Sequence, residues 1–248
     1  MKALLLLLIA ATLGGCSSSK PPEPDPGNEL PALESSLELP RSVHWMRNSA
    51  EYQAILRQTY FVAASELRRI VDDKESGSWA VALDADETVI SNTLYEKDLR
   101  SSGQQNTSEN WGAWVARQEA TPISGAIEFL ALVKELGGYI AIVTNRSDTD
   151  CPDTRDNFRK FDIPFDVMLC KVDDGEKEPR WEMVEKGTAS SDIPPVEIVM
   201  WIGDNIKDFP DHGQELRFGA ETLFADFGTR YFVLPNPMYG SWQANDHN

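Results

Sequence analysis

Four short apolar runs, each ending in polar residues, set the pattern of this chain. Trp79-Ala80-Val81-Ala82-Leu83 runs into Asp84-Ala85-Asp86-Glu87-Thr88, and Tyr139-Ile140-Ala141-Ile142-Val143 runs into Thr144-Asn145-Arg146. Asp166-Val167-Met168-Leu169-Cys170 leads to a basic stretch holding Lys171, Lys177 and Arg180. Val196-Glu197-Ile198-Val199-Met200-Trp201-Ile202 leads to Gly203-Asp204-Asn205, with Asp208 four residues past Asp204. Such runs read as buried strands. Around them the period changes to that of a helix. From 49 to about 71, Tyr52, Ile55, Leu56, Tyr60, Ala63, Ala64, Leu67 and Ile70 recur at helical spacing, opened by an Asn48/Ser49 cap with Glu51 in the first turn. A second amphipathic helix is expected over 124–136, ended by Gly137-Gly138, and further helices near 152–160 and 179–186. Strands alternating with helices predict an α/β fold built on a doubly wound parallel sheet. The four polar strand ends then converge on one rim, where open sheets of this kind bind ligands.

The residues at that rim carry the chemistry. Asp84 and Asp86 are one residue apart, so on an extended segment they point to the same side. One can attack phosphorus while the other handles a proton, which predicts phosphoryl transfer with an aspartate nucleophile. Taken alone the pair could be an acidic surface turn, since the chain has 40 Asp+Glu against 23 Lys+Arg. The three companion segments argue against that. The stretch 89–122 is too long for a simple crossover and carries Tyr95, Trp111 and Trp114.

Composition narrows the partners. An apolar fraction of 41% over 248 residues is ordinary for a globular protein, and leaves room for one substantial domain with an appendage. The formal charge of −17 argues against a nucleic-acid polymer, because a phosphate backbone is bound by basic surface. A small phosphorylated substrate needs only a local cationic site. No C-x-x-C or Cys/His cluster is present, which speaks against zinc; His44, His212 and His247 are scattered, and His44 and His212 read as structural or surface residues. The spacing of Cys151 and Cys170 leaves open whether they pair.

The motif set D-x-D-x-T, Thr144, Lys177 and G-D-x-x-x-D resembles the haloacid dehalogenase superfamily. It is similar in particular to the class C acid phosphatases and the outer-membrane lipoprotein e 5′-nucleotidases. That likeness rests on Ser49-Ala50-Glu51-Tyr52, on Asp84 to Thr88 with Asn92 and Tyr95, on Lys177-Glu178-Pro179-Arg180, on Gly203-Asp204-Asn205 and on Leu234-Pro235-Asn236-Pro237-Met238-Tyr239-Gly240. The resemblance implies a haloacid dehalogenase type of sheet with a small helical cap at about 89–122. It implies Asp84 as nucleophile and Asp86 as acid then base, with an acid working pH, because Asp86 must be protonated in the first step. Thr144 and Asn145 would meet the phosphoryl group and substrate. Lys177 would neutralise charge and fix Asp84; Lys171 competes for that role, but the K-x-x-R pattern fits Lys177 and Arg180. Mg²⁺ would be held by Asp84, the backbone carbonyl of Asp86 and Asp204, with Asp208 reached through a water or instead capping the next helix. Trp111 and Tyr239 would clamp the base of a nucleoside 5′-monophosphate. The alternatives for Trp111, Trp114 and Tyr239 are plain packing roles. Ser91, where the family commonly has Asp, and an extended stretch at 187–195 depart from the pattern.

The expected activity is thus a Mg²⁺-dependent acid phosphatase or 5′-nucleotidase. A phosphotransferase using the same intermediate, or a surface lipoprotein binding a haem-like or nutrient ligand, would be the alternatives. Monomer and homodimer both remain open. At the N-terminus, Lys2, an apolar run to Leu13 and Leu13-Gly14-Gly15-Cys16 resemble a bacterial lipoprotein signal, with a plain secretory signal as the other reading. The expected organisation is a signal at 1–15, lipidation at Cys16, a Pro/Ser/Glu-rich tether at 16–40 and a phosphatase domain at 41–248. Ser17 after the cysteine favours the outer membrane, on its periplasmic or surface side. The protein would then meet the membrane through its lipid anchor, since the apolar run is shorter than the roughly 20 residues a spanning helix needs.

Overall fold

The computed structural model describes residues 38–172 and 174–246, so the Cys16 signal and nearly all of the tether lie outside the described residues. Two helices open the described chain, α1 (Arg41–Asn48) and α2 (Ala50–Ile70). Ser49 separates them: its extended backbone ends the first, and its side chain caps the second by accepting the Tyr52 N–H at 3.1 Å. There follow β1 (Trp79–Leu83), β2 (Ile90–Ser91), α3 (Thr93–Ser102), α4 (Ser108–Arg117), β3 (Thr121–Pro122) and α5 (Ala126–Glu135). The chain continues through β4 (Tyr139–Ser147), α6 (Cys151–Lys160), β5 (Val167–Lys171), α7 (Glu178–Glu185), β6 (Glu197–Gly203) and β7 (Tyr231–Val233).

Five strands form one parallel sheet in the order β5-β4-β1-β6-β7. Every residue of β1 is buried, as a central strand covered on both faces requires. Its alternation sorts the core in two. Trp79, Val81 and Leu83 join α2, α5 and α6 on one face, whereas Ala80 and Ala82 join Trp181 and Val184 of α7, with Phe209 and Tyr231, on the other. The small residues on the second face leave room for the Trp181, Trp201 and Tyr231 rings, which meet edge to face. Gly137 ends α5 at φ +84, a left-handed turn that costs glycine little, and so brings the chain into β4.

Two features differ from the sequence reading. The fifth strand, β7, is only three residues long and was not anticipated. β4 also runs through Thr144-Asn145-Arg146 to Ser147, where the sequence pattern suggested a strand end. Burial alternates along that extension, with Thr144 and Arg146 inside and Asn145 exposed. Between β1 and α5 the chain leaves the sheet: β2 pairs antiparallel with β3, and α3 and α4 lie between them.

Cys151 and Cys170 are joined in a disulfide, with Cα atoms 6.0 Å apart. The bond ties the first residue of α6 to the end of β5. Closing a loop of 19 residues' separation restricts the unfolded chain and stabilises the fold by about 3 kcal/mol. The Cys151→Ser, Cys170→Ser double variant should therefore lose about 3 kcal/mol in urea denaturation. Identical midpoints for the oxidised and double-variant proteins would exclude a stabilising bond.

Candidate active site

The loop leaving β1 folds back on itself. Val89 and Ile90 N–H groups both donate to the Ala85 carbonyl, and Glu87 N–H donates to Ile90 at 2.8 Å. Glu87 takes a left-handed backbone conformation, φ 49, that is uncommon for a residue with a side chain. From α2, the Tyr60 hydroxyl holds the Thr88 carbonyl at 2.8 Å. The loop is thus pinned from beneath, and Asp84 and Asp86 stand at its opening.

Lys177, the residue before α7, places its Nζ 2.6 Å from Asp84 Oδ1 and 2.6 Å from Asp208 Oδ1. It is the lysine that reaches Asp84; Lys171 lies at the end of β5. Carboxylate oxygens of Asp84, Asp204 and Asp208 all fall within 4.8 Å of one another. Asp204 leans on Asn236, whose Nδ2 donates at 2.7 Å, and on Thr88 Oγ1 at 3.4 Å. Asp208 Oδ2 accepts the Asn205 N–H at 2.9 Å, so Asp208 both caps the turn after β6 and holds Lys177. Gly203 is required here, because a Cβ on it would stand 2.3 Å from Asp208 Cβ.

Burial pushes the Asp84 carboxyl up to about 7; Lys177 opposes this, and Asp208 and Asp86 add to it. Asp204 is raised well above the usual carboxylate range by burial, then by Asp208 and Asp84, against the Asn236 hydrogen bond. For Lys177 burial works toward the neutral amine, but the Asp208 and Asp84 carboxylates outweigh it and hold the ammonium charged. The Lys177 ammonium pairs with two of the three carboxylates, Asp84 and Asp208, in a site withdrawn from water. The donor set is all oxygen and carries excess negative charge, which fits a hard divalent cation. Asp84, Asp204 and Asp208 are the residues that could hold it, and the Asp208 oxygens also meet Lys177 and the Asn205 N–H.

Asp86 faces a different set. Arg146 forks onto it, Nε 3.0 and 3.1 Å from its two oxygens and a terminal nitrogen 2.8 Å from Oδ1, and Asn92 Nδ2 donates at 2.7 Å. Thr144 is fully buried and its Oγ1 accepts the Arg146 N–H at 3.1 Å. Arg180 fastens the same strand end, reaching the Thr144 carbonyl at 2.5 Å and Asn145 Oδ1 at 2.6 Å. Trp111 lies against the Arg146 guanidinium, 5.2 Å from the ring centre, and edge-on to Tyr95. The Tyr239 hydroxyl donates to Glu87 Oε2. Glu87 is fully buried and also accepts the Asn92 N–H at 2.6 Å; burial first, then Asp86, raises its carboxyl to about 8.

Asp84, Lys177, Asp204 and Asp208 therefore meet in one cluster, with Asp86, Thr144 and Trp111 grouped around Arg146 and Tyr239 anchored on the same loop. Arg146, Asn92, Glu87 and Asn236 were not singled out for roles in the sequence reading. Period-two alternation from Thr144 to Arg146 was the available signal for the first. A cavity of about 1020 Å³ lies elsewhere, between α2 and α5, and shares none of these residues.

Stability should record the crowded carboxyls. Asp84, Asp204 and Glu87 bind protons more tightly folded than unfolded, so their contribution is present below about pH 4 and is lost as pH rises toward about 8. In chelator, the pH dependence these three groups impose is a fall in Tm between about pH 5 and pH 8, and an added divalent cation should offset more of it at the higher pH. A cation effect that is absent, or that shrinks as pH rises, would count against the metal cluster.

The profile of the HAD superfamily, subfamily IIIB (Acid phosphatase), matches residues 28–242. Acid phosphatase 1 of Solanum lycopersicum is 27% identical over 185 residues, 71% of this chain and 64% of that protein, so the match spans under two thirds of the relative's length. The class C acid phosphatase from Bacillus anthracis superposes with a TM-score of 0.72 at 26% identity, covering 82% of this chain and 85% of that one. Its tungstate-bound form gives the same TM-score and coverage at 25% identity. With the profile matching most of its length, the chain belongs to the HAD superfamily, subfamily IIIB.

Proposed function

We propose that the protein is an acid phosphatase that hydrolyses small phosphomonoesters, nucleoside 5′-monophosphates among them, through a phosphorylated Asp84. The observation that carries this is Asp84 itself, at the end of a central strand, with Lys177 2.6 Å from one oxygen and Asp204 and Asp208 beside it. Family membership supports the reading, as does the tungstate, a tetrahedral oxyanion like phosphate, in the Bacillus anthracis relative.

Asp84 Oδ attacks phosphorus as the bond to the leaving oxygen breaks, and Asp86 gives that oxygen its proton. Water then attacks the same phosphorus, its proton passes to Asp86, and the bond to Asp84 breaks to release inorganic phosphate. Lys177 holds Asp84 in place and lowers the charge it presents to the phosphate. Asp84, the Asp86 carbonyl and Asp204 would hold a Mg²⁺ ion, which would supply the positive charge that lets an ionised carboxylate approach a phosphate dianion. Thr144 Oγ1 would meet a phosphoryl oxygen, with Asn145 beside it. Trp111 and Tyr239 flank the Asp86 loop as the aromatic pair for a base. Membership of an acid phosphatase subfamily supports a working pH on the acid side.

The soluble domain from about residue 41 should hydrolyse aryl phosphates, lose activity to chelator, regain it with Mg²⁺ and be inactive as Asp84→Asn. Full turnover in that variant would overturn the nucleophile. Trp111→Ala and Tyr239→Ala should lower kcat/KM for a nucleoside monophosphate by roughly 1–3 kcal/mol and much less for a sugar phosphate. Equal losses on both would leave a general phosphatase without a clamp.

The Leu13-Gly14-Gly15-Cys16 motif supports a second proposal, lipidation of Cys16 and attachment to the bacterial outer membrane. Two acyl chains give the stable residence that one does not. In a bacterial host the full chain should partition with membranes and Cys16→Ser should not. An unmodified Cys16 by mass spectrometry would dispose of the anchor.

A further inference from the structure

Arg146 and Asn92 are buried polar side chains, 2% and 0% exposed, that both bond to the Asp86 carboxylate and to each other. The Arg146 guanidinium is used up internally. Nε and one terminal nitrogen fork onto Asp86, that terminal nitrogen also meets Asn92 Oδ1 at 3.1 Å, and the other meets Thr154 Oγ1 at 3.2 Å. Trp111 covers its face. A guanidinium so enclosed has little left to offer a phosphate.

Asn92 is held just as fully. Its Nδ2 faces two carboxylates, Asp86 at 2.7 Å and Glu87 at 3.1 Å, while its Oδ1 faces two N–H donors, Trp114 Nε1 at 2.8 Å and Arg146. Donors against carboxylates and acceptor against N–H groups fix which way the amide points. Trp114 of α4 therefore bears on Asp86 through the hydrogen bonds of Asn92, whereas Trp111 only covers the guanidinium face of Arg146.

We infer that Arg146 and Asn92 are positioning residues for proton transfer to the leaving group, and that α4 sets the place of the Asp86 carboxyl through them. This rests on the reading of Asp86 as the proton donor. Its consequence is selective. A poor leaving group such as an alkoxide needs its proton as the bond to phosphorus breaks, whereas the anion of an acidic phenol departs without one. Misplacing the donor should therefore harm alkyl phosphates and largely spare aryl phosphates. Looser packing alone would harm both.

The test compares kcat/KM, which reports the step that breaks the ester bond, for glycerol phosphate and p-nitrophenyl phosphate. Asp86→Asn calibrates it. That variant should lose on the order of 10²–10⁴-fold on the alkyl ester and far less on the aryl one. Trp114→Phe keeps an aromatic ring and removes the N–H; it should lose about 10-fold on the alkyl ester. Arg146→Lys keeps the charge and removes the fork, and should lose on the order of 10²-fold, the scale of a 1 Å misplacement. Each should lose under about threefold on the aryl ester. Should Arg146→Lys fail to fold, Trp114→Phe carries the comparison. Equal losses on the two esters in folded variants, or undiminished alkyl turnover, overturn the positioning role while Asp86→Asn still discriminates. Loss of discrimination in Asp86→Asn itself overturns the proton-donor reading and the inference with it.

Discussion

The contact on which the site depends is the Lys177 ammonium between Asp84 and Asp208, 2.6 Å from each. With Asp204 alongside, three carboxylates converge where water is largely excluded, and mutual repulsion there is far stronger than at a solvated surface. One lysine cannot balance them. Burial first, and then the neighbouring carboxylates, lift the Asp84 and Asp204 carboxyls, and an all-oxygen set of this kind fits a hard divalent cation. Much nearby detail serves this one constraint. Gly203 gives up its Cβ so that Asp208 can lie against the strand end, and Asn236 comes from the segment after β7 to hold Asp204. Arg180 braces the strand end that carries Thr144.

The sheet was legible because its central strands are apolar on both faces, so an unbroken run marks each of them. The helices α2 and α5 were legible from their period and from Ser49 and Gly137 at their ends. β7 was not, since three residues give neither a run nor a period, and its place at the sheet edge comes from pairing with Trp201, Ile202 and Gly203. The disulfide was likewise open from sequence: the separation of Cys151 and Cys170 permits pairing, but only the packing of α6 against the end of β5 brings them within reach.

At the site, residues set by motif spacing were visible and residues set by tertiary contact were not. Asp84, Asp86 and Asp204 follow apolar strands directly, and Lys177 stands two residues before a proline that opens a helix. Arg146 looked like the polar end of a strand. Its burial depends on β4 continuing past Val143, which replaces an expected loop with an alternating strand and turns Arg146 inward toward Asp86. Glu87 gave no signal either, because a carboxyl beside two aspartates in an acidic chain reads as solvated surface. Its complete burial follows from the partners that the fold supplies, Asn92 and Tyr239.

The left-handed turn at Glu87 connects these observations. Consecutive side chains on an extended strand point to opposite faces, so Asp86 and Glu87 could not both meet one amide if the strand simply continued. With φ at 49 they do: Asn92 Nδ2 reaches both carboxyls. The strained residue thus lets a single side chain gather the carboxyl at the mouth of the site, the buried carboxyl that anchors Tyr239, and the indole of Trp114 from α4. A backbone conformation that costs the loop some stability persists because these contacts surround and over-determine it. β1 leads into Asp84 and the start of α7 supplies Lys177; this turn brings the Asp86 carboxyl, α4 and the C-terminal segment to the same place.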